Sequence, residues 1–320
     1  MEIETDVPLH PFLFVGCWNN PNTHDYTHVF ERIEADPIKT LILGGDNIYP
    51  VKDARGNKRY NVDEVQRGFD IARRGKTHIF TAVGNHNVTN SSVYEKEKNL
   101  YGLVSPYYCV RFTDGFSLIF LNSLYAINDD DEYTDELEAM LKWLKGIVST
   151  GIKYYLVQHH PIAGIRGKGP WTLPNKNRVL SILQYNLPIA ILCSHLHFFQ
   201  TGEIEFHNTT NENSSPHFGA SVKKIPQYIV GTGGAKFDEP PSASSQSIVE
   251  GEGIFKYTVT DTQKINGYTR ILAPGSVEFF PVPVPVPVPI AVASGGRRSR
   301  SRSRPKSRRS RSRSSKRPSS

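Results

Sequence analysis

Thr40-Leu-Ile-Leu-Gly-Gly-Asp-Asn-Ile-Tyr49 is the stretch on which the fold turns. Strand-forming residues run straight into two glycines, then a carboxylate, an amide and a phenol. A short apolar run bounded by turn residues fits a buried strand. The polar groups at its end must be paired or bound, since burying them alone is costly. Four other stretches repeat the pattern. Phe12–Val15 leads into Gly16-Cys17-Trp18-Asn19, and Ile79–Val83 into Gly84-Asn85-His86-Asn87. Tyr154–Gln158 leads into His159-His160-Pro161, and Ile189–Cys193 into Ser194-His195-Leu196-His197.

Further out, strands are expected at Phe12–Val15, Thr40–Leu43, His78–Ala82, Phe116–Asn122, Lys153–Gln158, Ile189–Cys193, Tyr228–Val230, Ile254–Val259 and Tyr268–Leu272. The clearest helix is Asp135–Val148, with Thr134 as its expected N-cap and acids in its first turn. Leu137, Met140, Leu141, Leu144, Ile147 and Val148 fall on one face and read as core. Weaker helical patterns cover Tyr26–Ala35, Val62–Ala72 and Lys176–Tyr185. Strand–helix alternation makes the class α/β, with the last strands pairing locally.

The 320 residues carry 38 Lys and Arg against 31 Asp and Glu, a net charge of +7. Twelve of those cations lie in Arg297–Ser320, which has no acid, and the rest of the chain has a net charge of −5. A protein basic throughout is excluded. Three regions follow: a folded domain over 1–280, a Pro/Val-rich extended linker over 281–296, and a disordered Arg/Ser-rich tail over 297–320. Asn208–Ser215 and Glu239–Ser247 read as polar loops. No apolar run reaches the ~18 residues of a membrane helix, and the acidic start is unlike a signal peptide. Three cysteines (Cys17, Cys109, Cys193) suggest no disulfide framework, so an intracellular setting without membrane attachment is expected. Cys193 reads as core.

In an α/β sheet, ligands bind at the carboxyl ends of the strands. Five polar clusters on that rim would gather Asp46, Asn85, His86, His159, His195 and His197. The two imidazoles of a His-x-His pair point the same way from a strand end. Imidazole and carboxylate suit Zn, Fe or Mn, and two cations about 3.5–4 Å apart can activate water and clamp a phosphoryl group.

The ordered set Gly-Asp-Asn-x-Tyr, Gly-Asn-His, His-x-Pro and His-x-His resembles the calcineurin-like metallophosphoesterase superfamily. Tyr49 and Trp18 point to its purple (tartrate-resistant) acid phosphatase branch, as does the later Tyr228-Ile-Val-Gly-Thr-Gly-Gly234. The resemblance spans about Phe12 to Leu272. It implies a four-layer α/β/β/α sandwich of two mixed sheets, with a dinuclear site at the strand C-terminal ends. It also implies two divalent or trivalent metals, iron with zinc, manganese or a second iron. Asp46 would bridge them; Asn85, His159 and His195 would hold one; Tyr49 and His197 the other. His86 would be the outer-sphere acid, and the nucleophile a metal-bound hydroxide.

The first motif departs from the family. Gly16-Cys17 stands where the family has Gly-Asp, whose Asp ligates the Tyr-side metal. Cys17 can ligate as a thiolate; alternatively it is a small buried side chain and that metal is weak or absent. Asn87 is a second departure, where the family has Asp or Glu, and there tuning rather than loss is expected. His160 and Asn19 lie near the expected mouth, with structural roles favoured. Gly231–Lys236 lacks P-loop spacing.

The implied function is metal-dependent hydrolysis of phosphate esters, monoesters first. The alternative is a catalytically impaired relative acting as a binding or packaging protein through its tail. The partners expected are a phosphorylated substrate and, through the tail, nucleic acid or another polyanion. The loops Lys52–Tyr60, Ile165–Asn175 and Asn208–Ser221 would carry specificity.

Overall fold

Alternating side chains on each central strand serve two different cores. The computed structural model describes residues 1–23, 25–53, 55–127, 131–164, 171–206, 223–238 and 255–283. In chain order its elements are β1 (Glu2–Glu4), β2 (Phe12–Val15), α1 (Tyr26–Ala35), β3 (Thr40–Leu43), β4 (Val51–Lys52), β5 (Lys58–Arg59), α2 (Val62–Arg73) and β6 (His78–Thr81). Then come α3 (Asn85–Val88), α4 (Ser91–Tyr101), β7 (Tyr108–Arg111), β8 (Phe116–Phe120), α5 (Thr134–Val148), β9 (Lys153–Val157), α6 (Leu173–Leu183) and β10 (Ile191–Cys193). The last strands are β11 (Phe199–Phe206), β12 (Lys224–Val230), β13 (Phe255–Gln263), β14 (Gly267–Ala273) and β15 (Ser276–Pro281).

One mixed sheet has the order β1-β7-β8-β9-β10-β12-β11-β13, the other β15-β14-β2-β3-β6. Phe12, Phe14 and Ile42 of the smaller sheet pack with Leu118, Phe120, Tyr155, Val157 and Leu192 of the larger. The opposite face of the smaller sheet, Leu13, Val15, Leu41 and Leu43, packs on Val29, Phe30, Ile33 and Ala72 of α1 and α2. The opposite face of the larger sheet, with Ile119, Leu156 and Ile191, packs on Leu137, Met140, Leu144, Val179 and Leu180 of α5 and α6. Two sheets and two helical faces make the four expected layers. Each buried Leu or Phe contributes about 1.5–3 kcal/mol, so the period-2 pattern of β2, β3, β8 and β9 pins their register.

β2, β3 and β6 are mutually parallel, as are β8, β9 and β10. Parallel neighbours need helical crossovers, which bring their C-terminal ends to one edge. The clusters after β2, β3 and β6 leave one edge of the smaller sheet and those after β9 and β10 one edge of the larger, and the His159 Nδ1–Gly44 O contact (2.8 Å) joins the two edges.

Several sequence expectations need correction. Thr134 begins α5 rather than capping it; Tyr133 takes the cap position and makes no side-chain cap bond. The last strands do not all pair locally: β13 pairs with β11, and β14 joins β2 as well as β15. The helix expected at Lys176–Tyr185 starts earlier, at Leu173 with Pro174 in its first turn, a position that suits proline. β1, β4, β5, β7, β11, β15 and the helices α3 and α4 are not among the expected elements; β4 and β5 pair within the stretch expected as the loop Lys52–Tyr60. The polar loops Asn208–Ser215 and Glu239–Ser247, most of the linker, and the tail lie outside the described residues. Among the described residues no helix is long and apolar enough to cross a membrane.

Candidate metal centre

Strain marks the rim. The described non-glycine residues with left-handed φ are Cys17 (56°), Asn19 (54°), Asp46 (52°) and His195 (61°). Such a conformation costs about 1–3 kcal/mol per residue and persists only where its surroundings over-determine it. Here the turns are laced together. The Cys17 N–H donates to Gly45 O (3.1 Å), the Trp18 N–H to Asp46 O (3.2 Å), and the Ala235 N–H to Cys17 O (3.1 Å). Gly84 allows a close approach: a Cβ there would lie 2.3 Å from both Asp46 N and Asp46 Oδ1.

His159 is the hub. Its Nδ1 is 2.8 Å from Gly44 O, an atom that can only accept, so Nδ1 carries a proton. Nε2 then faces into the cluster. Around it, each at 3.2 Å, stand Asp46 Oδ2, Asn85 Oδ1 and His195 Nδ1. His159 and Asp46 are fully or almost fully buried. A carboxylate, an amide oxygen and two imidazole nitrogens thus converge, all of them groups that can ligate a cation. Burial alone would raise the Asp46 carboxyl. The imidazoles of His159 and His86, with the His86 N–H on Oδ1 (2.8 Å), outweigh it and hold the group well below the usual carboxylate range.

A second set lies beside the first. Tyr49 Oη is 3.0 Å from His197 Nε2. His197 Nδ1 faces Lys236 O at 2.7 Å and so donates outward, as His159 does. Cys17 is buried against Tyr49 and Ala235, and offers its Sγ within 4.8 Å of ligand atoms of Asp46 and His159. Burial, then the Asp46 charge, pushes the Cys17 thiol far up. Burial, then Cys17 and Asp46, pushes the Tyr49 phenol up as well. His86 lies tilted against Tyr49 with ring centroids 4.6 Å apart, and its Nδ1 meets Tyr60 Oη at 2.9 Å.

A family model for calcineurin-like phosphoesterases matches residues 10–199. The chain belongs to this family. No curated protein matches the chain in a sequence comparison. Solved calcineurin-like relatives share its fold. A purple acid phosphatase of yellow lupin, Lupinus luteus, superposes with a TM-score of 0.57 at 11% identity, covering 87% of this chain and 52% of its own. The Plasmodium inner-membrane-complex anchor GAP50 gives 0.55 at 10% identity, covering 86% and 89%. PhoD gives 0.54 at 14% identity, covering 83% and 64%.

Calcineurin-like phosphoesterases imply divalent metal ions, and the donor set here fits them. Two histidines commit one nitrogen to main-chain carbonyls and turn the other inward, the arrangement that orients metal-ligating imidazoles. The structure brings Asp46, Asn85, His159 and His195 together, and sets Tyr49, His197 and Cys17 alongside. Asn19 and His160 are both buried. Asn19 donates to Asn47 O (3.0 Å) and Glu64 O (3.1 Å). His160 pairs with Ser123 Oγ (2.8 Å), lies tilted against His195 and groups with His159 and His195 as side chains that could hold an ion. Burial, then His159 and His195, lowers its pKa well below the ordinary value.

Sequence reasoning missed four supporting residues of this phosphoesterase site. Ser194 Oγ reaches His159 Nδ1 (2.9 Å). Asp238 accepts the His197 N–H (2.9 Å). Tyr60 touches His86. Glu97, 2% exposed, accepts from the Asn87 amide, whose oxygen in turn holds the N–H groups of Gly84 (2.8 Å) and Asp46 (2.9 Å). Ser194 had a signal, its place inside the fifth cluster; the other three are brought in only by tertiary structure.

Proposed function

We propose that the chain hydrolyses phosphate monoesters at a dinuclear centre of the purple acid phosphatase kind. The observation that carries this reading is the crowd of ligand atoms around His159 Nε2, with the outer ring nitrogens of His159 and His197 already spent on carbonyls. Asp46 would bridge two cations. Asn85, His159 and His195 would hold one, and Tyr49, His197 and Cys17 the other. Imidazole, phenolate and carboxylate suit iron with zinc, manganese or a second iron. Bound there, the cations would supply Lewis-acid charge to the phosphoryl oxygens and make a water acidic.

The chain's own residues supply the rest. The Tyr60 hydroxyl on Nδ1 (2.9 Å) orients the His86 ring, and a protonated His86 would give its Nε2 proton to the leaving oxygen. The Cys17 thiol, raised by burial in the free site, would ionise only beside a cation. That couples its role to the second ion.

The decisive experiment is elemental analysis with turnover on full-length protein. Close to two metals per chain, cleavage of p-nitrophenyl phosphate and a tyrosinate-to-iron absorption band are expected. His195→Ala should lose metal and turnover together. A full metal complement without turnover would sink the hydrolase reading.

Cys17 at the first-motif aspartate position favours a second reading, an impaired relative that works by binding. It requires at most one metal and no turnover in the wild type, with a second metal gained in Cys17→Asp. In either case the tail, with twelve cations in Arg297–Ser320, would bind nucleic acid or another polyanion, in a salt-sensitive and sequence-blind way. Unchanged binding after its deletion would refute that. The three buried, unpaired thiols support an intracellular setting.

A further inference from the structure

The hairpin of β4 and β5 breaks a pairing rule beside the candidate centre. Lys52 and Lys58 are directly opposite in its register. Like charges in that position destabilise a hairpin, and one this short has nothing to spare. Neither lysine is neutralised. The one acid of the segment, Asp53, is committed elsewhere: Oδ1 accepts the N–H groups of Arg55 (2.9 Å) and Asn57 (2.9 Å), and Oδ2 lies 3.6 Å from Arg59 Nε. Among the described residues Lys52 and Lys58 have no hydrogen bond or ion pair, and both are exposed.

Direction follows from strand geometry. Side chains alternate along β5, so Arg59 stands on the Asp53 side and Lys58 on the side taken by Tyr60. Tyr60 points inward, with its hydroxyl on His86 Nδ1 at 2.9 Å. Lys58 follows it at a spacing of about 6.8 Å, two strand residues, and Lys52 stands across from Lys58. Both ammonium groups therefore stand on the side of the hairpin that Tyr60 uses to reach His86. A local rule broken without compensation in the fold is where a ligand is expected.

We propose that Lys52 and Lys58 form a subsite for a second anionic group of the substrate. The substrate class is then phosphoesters carrying a further phosphate beyond the scissile one, of which a nucleoside diphosphate is a minimal example. The inference deepens the phosphoesterase reading and rests on it. The subsite recognises charge at an exposed position, so its contribution is screened by salt.

Binding of ADP and AMP to metal-free, full-length protein by calorimetry at low salt tests the subsite without turnover. ADP should bind about 10-fold more tightly than AMP, the gain of two exposed charge contacts. The K52Q/K58Q variant should bring the ratio close to one. A K142Q/K145Q variant, which removes the same charge from exposed positions on α5, should keep the wild-type ratio. Because like charges are relieved, K52Q/K58Q should melt no lower than wild type. A ratio unchanged in K52Q/K58Q, or lost equally in K142Q/K145Q, overturns the subsite. Turnover of p-nitrophenyl phosphate by metal-loaded wild type is measured separately. Its absence condemns the phosphoesterase reading, whereas the ADP-to-AMP ratio judges the lysine pair alone.

Discussion

Two buried carboxylates sit at opposite ends of β3 and live by opposite rules. Asp36, before the strand, is fully served. Its Oδ1 accepts the Ile38 N–H (3.1 Å), and its Oδ2 accepts Tyr268 Oη (3.0 Å) and Arg270 Nε (2.6 Å). Its carbonyl accepts Lys76 Nζ (2.7 Å), and the Arg270 guanidinium lies 3.8 Å above the Phe280 ring. Asp46, after the strand, has a left-handed backbone; its Oδ1 accepts the His86 N–H (2.8 Å), and its Oδ2 shares His159 Nε2, at 3.2 Å, with Asn85 Oδ1 and His195 Nδ1. Each acceptor at the first site has its own donor, whereas at the second three groups crowd one ring nitrogen. A satisfied network holds a fold together. Crowding on strained backbone costs stability and is useful only to something positive that arrives later.

The sharpest way to break this contrast is to neutralise each carboxylate in turn. Asp46→Asn should lower turnover of p-nitrophenyl phosphate by about three orders of magnitude or more, about 4 kcal/mol of transition-state stabilisation. In the metal-free state it should unfold no more easily than wild type, because one acceptor in the crowd becomes able to donate. Asp36→Asn should behave in reverse. Breaking a buried pair costs about 3–5 kcal/mol, and with Arg270 a quarter exposed the lower end applies. Turnover per folded molecule should hold within about twofold, since nothing at that end touches the centre. Urea unfolding and steady-state rates on the two variants check both halves. If Asp46→Asn proves as destabilising as Asp36→Asn, the rim is ordinary structure.

Metal addition tests the same contrast less strongly. At a hundredfold excess over its dissociation constant a ligand stabilises the folded state by about 2.7 kcal/mol. Wild type and Asp36→Asn should gain that increment equally on adding zinc, and Asp46→Asn should gain less. Equal gains in all three, read from thermal midpoints with and without the ion, would mean that the metal binds away from Asp46.

The two ends were not equally legible in the sequence. The rim was, because five buried strands each end in a short polar motif, and each ladder gathers those ends along one edge of its sheet without any knowledge of side-chain contacts. The continuous apolar runs Phe12–Val15 and Thr40–Leu43 likewise read as buried strands. The Asp36 network was not, because Tyr268 and Arg270 join it across more than 230 residues of chain. Tyr60 was hidden in a charged hairpin with no apolar pattern to point its side chain inward. β11 escaped because Gly202 and paired polar residues blur its alternation, and only the Tyr257 ring filling the space beside Gly202 explains them. Cys17 could be read both as a ligand and as core, and its burial beside Asp46 and Tyr49 suits either role until a cation is added.

A third buried carboxyl, Glu97, lies between the extremes and gives the smallest expected effect. It receives the Asn87 amide and has Asn47 nearby, but those bonds do not compensate for its burial. Burial, reinforced by the Asp46 charge, raises its pKa from the usual 4.5 to about 8. Its folded pKa is then above its unfolded one, so the fold favours the protonated acid. That stabilisation is complete below about pH 4.5 and is lost as pH rises through about 8. Between these limits the wild type should lose about 1.4 kcal/mol per pH unit from this group. Glu97→Gln keeps the shape and an amide for the Asn87 contact but has no proton to lose. Urea unfolding of both metal-free proteins at pH 5.5 and 7.5 should show the wild type falling relative to Glu97→Gln by about 2.5 kcal/mol. Parallel pH dependence would mean that Glu97 stays ionised and is satisfied like Asp36. The Asn87 relay behind Asp46 would then belong with the structural end of the molecule rather than with the strained rim.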